Sequence, residues 1–184
     1  IKLKSVVIDG SYFICRILFS SKKLLNSMNI DISIIFYFLQ NIIRFILSFE
    51  PDKLHIVFDI GRDLKKRQKY EKYKSNRLDV ESKNILGYMM EKEQYTKLEE
   101  SRKIIIEILN TLPLSLYVLP FVEGDTIIGN IALEEKKNNN QVVIFTGDKD
   151  LLQMIDENID VFLFKRTLEE STLYNINNKQ YIWN

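Results

Sequence analysis

Six carboxylates stand at four places where an apolar run breaks off. Asp9 follows Val6-Val7-Ile8, and Asp59 follows Ile56-Val57-Phe58. Glu123 and Asp125 follow the run from Tyr117 to Val122, and Asp148 and Asp150 follow Val142 to Gly147. Acidic side chains gathered in one place repel one another unless a cation sits between them. Oxygen-only ligands suit a hard cation, Mg²⁺ or Mn²⁺. Two such ions about 4 Å apart can deprotonate a water near neutral pH and stabilise charge on a leaving oxygen. One short loop cannot surround a cation, so the ligands must come from separate segments, as these do. The residue types therefore point to metal-dependent hydrolysis of phosphate esters. Helix capping is the competing reading, because a lone Asp or Glu at a helix start meets free N–H groups and the positive end of the dipole. Capping is weaker for Asp9 and Asp59, each of which directly ends a strand, and the agreement of four strand ends favours one shared site.

A second group carries the opposite charge. Arg62, Lys65, Lys66, Arg67, Lys69, Lys72, Lys74 and Arg77 give the stretch from Arg62 to Arg77 a local charge of +6, interleaved with Tyr70 and Tyr73. The net charge is only +1, so the rest of the chain is acidic. Positions 66, 70, 73 and 77 share one face of a helix. Cations pair with phosphates and tyrosines stack on exposed bases. A solvated charged helix is the plain alternative. The start of this segment three residues after Asp59 favours a polyanionic substrate held beside the metals.

Positioning these residues takes alternating strands and helices. The pattern predicts strands at 4–8, 54–58, 114–119, 142–146 and 160–164, and helices at 11–25, 34–49, 64–76, 97–112, 123–137 and 149–155. Residues 78–96 have weak periodicity and read as a mobile or partner-contacting segment, and 167–184 as a weak hairpin. Apolar strands alternating with amphipathic helices predict an α/β fold, a mainly parallel sheet covered on both faces. Ligands bind such sheets beyond the carboxyl ends of the strands, where all six carboxylates fall. Four of the six glycines lie within two residues of one of them.

Composition narrows the class. A chain of 184 residues, 46% hydrophobic, suits one globular domain. The single histidine, His55, and single cysteine, Cys15, leave no set for structural zinc, an internal disulfide or histidine-based nucleophilic catalysis. The lone cysteine fits a reducing compartment, cytoplasmic or a nucleoid or organelle matrix. The apolar stretch 34–49 falls short of the roughly 20 residues of a membrane span and contains Arg44. Because the chain opens on Ile1, it is expected to be part of a longer product.

Five strings in order resemble the 5′-nuclease superfamily, which comprises flap endonucleases, phage 5′–3′ exonucleases and the 5′-nuclease domain of bacterial DNA polymerase I. They are Val7-Ile8-Asp9-Gly10-Ser11, Phe58-Asp59, Tyr73-Lys74-Ser75-Asn76-Arg77, the seven residues from Glu123 to Gly129, and Thr146-Gly147-Asp148-Lys149-Asp150-Leu151-Leu152-Gln153. The resemblance implies a PIN-like fold with an arch-like insertion at about 62–96. It implies Mg²⁺ or Mn²⁺, two ions in the full-length enzyme, and cleavage of DNA, or of RNA, near a 5′ end or flap during replication or repair. Asp9, Asp59, Glu123 and Asp125 would hold one metal, and Asp148 and Asp150 would contribute to the other. Lys74 and Arg77 would contact the scissile phosphate and Tyr73 would stack on a terminal base, with Arg62, Lys66, Arg67, Lys69 and Tyr70 completing the nucleic-acid surface. Two departures stand out. Thr126 replaces an acid common in bacterial members, and the helical hairpin that grips duplex DNA and completes the second metal site is absent from residues 1–184. The expected partners are DNA with a 5′ end or flap, or an RNA–DNA hybrid, a DNA polymerase or a separate duplex-binding region, and no membrane. A catalytically weak or inactive nucleic-acid-binding module and a PIN-type ribonuclease are the alternative readings.

Overall fold

The structure, a computed structural model, describes residues 2–60, 92–165 and 170–178. Within them the order is β1 (Lys4–Asp9), α1 (Gly10–Ser20), α2 (Ser33–Phe49), β2 (Lys53–Ile60), α3 (Lys92–Leu109), β3 (Ser115–Pro120), α4 (Gly124–Lys137), β4 (Gln141–Thr146), a 3₁₀ turn (Lys149–Met154), β5 (Ile159–Leu163) and β6 (Thr172–Tyr174). The six strands form one sheet in the order β3-β2-β1-β4-β5-β6. The first five are mutually parallel and β6 runs antiparallel to β5. The fold is thus α/β with a mixed, mostly parallel sheet, as the alternation of elements predicts.

The strands are apolar on both faces because both faces are covered. Val6, Ile8, Ile56, Phe58, Val143 and Phe145 face a core shared with α1, α2 and α3. The alternate residues Val7, Val57, Val142, Ile144 and Val161 face α4 and the 3₁₀ turn. The first core is aromatic: Phe45 and Phe145 lie 4.5 Å apart between centroids, Phe145 and Phe162 4.7 Å. Full burial of such rings contributes roughly 2–3 kcal/mol each.

The sheet reverses its strand order between β1 and β4, so the chain departs to opposite sides from two adjacent strand ends. This leaves a crevice beyond their carboxyl ends. At the other rim a polar cluster pins α4 to β2. Glu135, buried on α4, accepts from Lys53 Nζ (3.2 Å) and Asn140 Nδ2 (2.7 Å), with His55 Nε2 at 3.7 Å. Burial raises the Glu135 carboxyl, but the bonds from Asn140 and Lys53 outweigh it and hold the group below its usual range. Burial also keeps His55 neutral by lowering its pKa. The lone histidine is therefore a core residue at the end of β2 away from Asp59.

Several boundaries differ from those predicted. The first helix stops at Ser20 rather than at 25: Ser20 Oγ bonds back to the Arg16 carbonyl at 2.7 Å, and the polar residues that follow offer no apolar face. Asn26 then nucleates a turn, accepting from the N–H groups of Met28 and Ile30. Helix α3 begins by Lys92 and ends at Leu109, so residues 92–96, read as part of an irregular segment, are helical, while Leu112 lies past the helix and is exposed. The predicted 149–155 helix is 3₁₀. The tail supplies β6, which pairs antiparallel with β5, and the rest of the expected 167–184 hairpin lies partly outside the described residues. The predicted helix 64–76 and most of the 62–96 arch lie outside the described residues. Among the described residues no helix is long and apolar enough to cross a membrane.

Candidate metal centre

Asp9 is the last residue of β1 and lies over the switch point. Its Oδ1 accepts from the Tyr12 N–H at 3.0 Å, capping α1, and its Oδ2 accepts from Thr146 Oγ1 at 3.1 Å. Capping, the weaker reading from sequence for this residue, is therefore one of its roles. The strand ends and the helix begins with no residue between, so a single carboxylate serves both. Gly10 makes this junction possible, since a Cβ there would lie 2.7 Å from the Phe58 ring and 2.9 Å from the Val57 carbonyl.

Asp59 occupies the matching place near the end of β2. Its N–H donates to Ser11 Oγ at 3.0 Å, tying it to the first turn of α1. The chain leaves β3 through Phe121, whose φ of 65° is costly for a bulky side chain. This turn carries Glu123 to the N-cap of α4 and Asp125 into its first turn. Gly124 then lies against Asp59, where a Cβ would stand 3.4 Å from Asp59 Oδ2. Asp148 follows β4 and caps the 3₁₀ turn by accepting from the Asp150 N–H at 2.9 Å.

Asp9, Asp59, Asp125 and Asp148 line one cavity of about 400 Å³. Glu123 and Asp150 flank it without lining it. Burial pushes the Asp9 carboxyl up to about 7. The Tyr12 and Thr146 hydrogen bonds oppose that shift, while the negative charges of Asp59 and Asp125 add to it. Like charges converging on a desolvated carboxylate are what a bound cation would relieve. The oxygen-only donor set fits a hard divalent ion. Among the described residues no three acidic, imidazole or thiol groups already stand arranged around an ion. Asp9 Oδ1 and Asp148 Oδ1 are turned toward backbone N–H groups instead.

The cavity extends from this acidic end between α1 and α3, past Tyr12, Arg16, Phe19, Tyr95 and Arg102. Arg16 reaches the Tyr12 hydroxyl at 3.4 Å and lies 5.1 Å over the Phe164 ring, and Arg102 pairs with Glu99. The sequence reading missed these cavity residues. Their signal was present: Tyr12 and Arg16 follow Asp9 by three and seven positions, one helical face. The expected nucleic-acid contacts Arg62, Lys66, Arg67, Lys69, Tyr70, Tyr73, Lys74 and Arg77 lie outside the described residues.

Comparison with known proteins shows the family. The family model for the 5′-3′ exonuclease N-terminal, resolvase-like domain matches residues 4–181. DNA polymerase I of Caldicellulosiruptor bescii is 29% identical over 98% of this chain and 20% of its own length. A 5′-3′ exonuclease of Mycoplasmopsis pulmonis is 32% identical over 85% of this chain and 46% of its own. The chain thus spans less than half the length of either relative. Among solved structures, phage T5 5′-exonuclease with bound divalent metal ions (zinc) superposes with a TM-score of 0.66 at 16% identity, covering 97% of this chain and 60% of that one. A phage T5 flap endonuclease in a pseudo-enzyme–product complex with DNA and metal ions gives the same TM-score. The chain belongs to the 5′-3′ exonuclease family, as its N-terminal, resolvase-like domain.

Proposed function

We propose that this domain is the catalytic part of a divalent-metal-dependent 5′–3′ exonuclease or flap endonuclease that hydrolyses phosphodiesters near the 5′ ends of nucleic acid. The observation that carries the reading is the convergence of Asp9, Asp59, Asp125 and Asp148, from four strand ends, on one cavity. These residues would hold Mg²⁺ or Mn²⁺, with Glu123 and Asp150 at the margin. The bound ions would supply an activated water and charge stabilisation at the leaving oxygen. The chain's own residues orient the ligands: the Tyr12 N–H and the Thr146 hydroxyl hold Asp9, and Ser11 holds the backbone at Asp59. Lys74 and Arg77 are assigned to the charge on the scissile phosphate and Tyr73 to stacking on a terminal base. Arg62, Lys66, Arg67, Lys69 and Tyr70 extend that surface along the strand. A duplex-binding region and a polymerase are the partners this assignment implies.

A 5′-labelled flap duplex incubated with Mg²⁺ or Mn²⁺ tests the reading. Asp59→Asn and Asp148→Asn keep an acceptor for local backbone bonds and remove the charge. Each is expected to lower cleavage at least about 10³-fold while leaving the thermal midpoint within a few degrees. Near wild-type cleavage by either variant would overturn the metal assignment. Lys74→Ala should slow single-turnover cleavage more than it weakens substrate binding, and the opposite split would contradict its assigned role. Cleavage of unstructured RNA in preference to the flap would favour a ribonuclease, and flap binding without cleavage in either metal a binding module.

A further inference from the structure

Thr146 is a threonine with no solvent exposure, at the end of a β-strand, where a valine would serve packing equally well. Its hydroxyl touches carboxylate-bearing residues from two strand ends. The Asp148 N–H donates to Thr146 Oγ1 at 3.0 Å, and Thr146 Oγ1 donates to Asp9 Oδ2 at 3.1 Å. A hydroxyl has one proton and two acceptor lone pairs, so it can accept from the Asp148 N–H and still donate. The direction of the second bond follows from the carboxylate: once ionised, Asp9 can only accept, and the proton points to its Oδ2. The backbone at this point is also fixed, because the Phe164 N–H donates to the Thr146 carbonyl at 2.8 Å. Asp9 is held by two donors of fixed direction, one at each oxygen, which leaves a defined lone pair on each for a cation.

We propose that Thr146 is a positioning residue that holds the Asp9 carboxylate and the Asp148 backbone in one register for a divalent cation. This rests on the metal reading of the cavity. Partners that orient metal ligands typically contribute 10–100-fold in affinity. Thr146→Val keeps the shape and removes both hydrogen bonds, and Thr146→Ser keeps both and removes one methyl.

Mn²⁺ alone is the probe, with free Mn²⁺ followed by electron paramagnetic resonance during titration of the full chain. Circular dichroism melts of the same samples report folding. Thr146→Val is expected to bind Mn²⁺ about tenfold or more weakly than wild type, and Thr146→Ser within about twofold, both folded at the titration temperature. Hydrogen exchange at the Asp148 amide should accelerate in Thr146→Val and not in Thr146→Ser, a readout independent of metal. Wild-type affinity in Thr146→Val, with Asp9→Asn defective, would overturn the positioning role alone. So would equal loss in the valine and serine variants. Failure of the wild-type protein to take up Mn²⁺, or an undiminished Asp9→Asn, would overturn the metal reading and this proposal together.

Discussion

Asp9 is the residue on which structural and chemical demands conflict most. Burial, aided by Asp59 and Asp125, raises its pKa from 3.8 to about 7. A carboxyl raised on folding stabilises the folded state fully below about pH 4, and that contribution is lost as pH rises through about 7. The metal-free protein should therefore melt at lower temperature at pH 8 than at pH 5. Asp9→Asn removes the buried charge and should raise the midpoint at pH 8 by several degrees, at about 2–4 °C per kcal/mol for a chain of this size, with little change at pH 4. Mg²⁺ should restore the wild type at pH 8 and not the variant. Melts across that pH range check this, and a pH-independent difference would contradict it. The sequence made Asp9 conspicuous through the apolar run before it. It did not disclose the cap on α1, because a residue that ends a strand and starts a helix at once has no separate signature for each role.

At the scale of elements, the tightest constraint lies between the starts of α1 and the 3₁₀ turn. A Cβ at Gly147 would fall 1.8 Å from Tyr12 Cζ, so the Tyr12 ring fills the space a side chain would need. Gly147→Ala must displace that ring, which shares its helical turn with the N–H that holds Asp9. The expected cost is about 1–3 kcal/mol in stability together with a loss of cleavage, read by melts and the flap assay. An unchanged midpoint would mean that the ring yields freely. On the far rim, Glu135→Leu would leave His55 and Asn140 without their buried acidic partner and Lys53 without its ion pair. The expected loss is about 2–4 kcal/mol, with the metal centre unaffected except through folding. Strand positions were legible because a buried parallel strand is an uninterrupted apolar run between turns, as at Val142–Phe145. Helix ends were less so. Ser20 and Leu109 mark limits set by side-chain back-bonding and by a turn before β3, which hydrophobic spacing does not encode.

At the scale of the molecule, order and handedness do the work that spacing along the chain cannot. Asp9 and Asp148 are 139 positions apart in sequence, yet β1 and β4 are neighbours and the sheet reverses between them. An alternating strand–helix pattern with acids at strand ends was sufficient to anticipate one rim, on which Asp9, Asp59, Asp125 and Asp148 line the cavity. The aromatic and basic lining from α1 and α3 was not, since it depends on which helices share the crevice. An acidic rim also calls for cations from solution or from the basic 62–77 segment. The account stands on the claim that Asp9, Asp59, Asp125 and Asp148 jointly bind a divalent ion. Anomalous diffraction from crystals of this chain soaked in Mn²⁺ tests it directly. A manganese peak within about 2.5 Å of carboxylate oxygens from at least three of the four is the predicted result. Strong manganese peaks elsewhere on the protein, with none in this cavity, would contradict it.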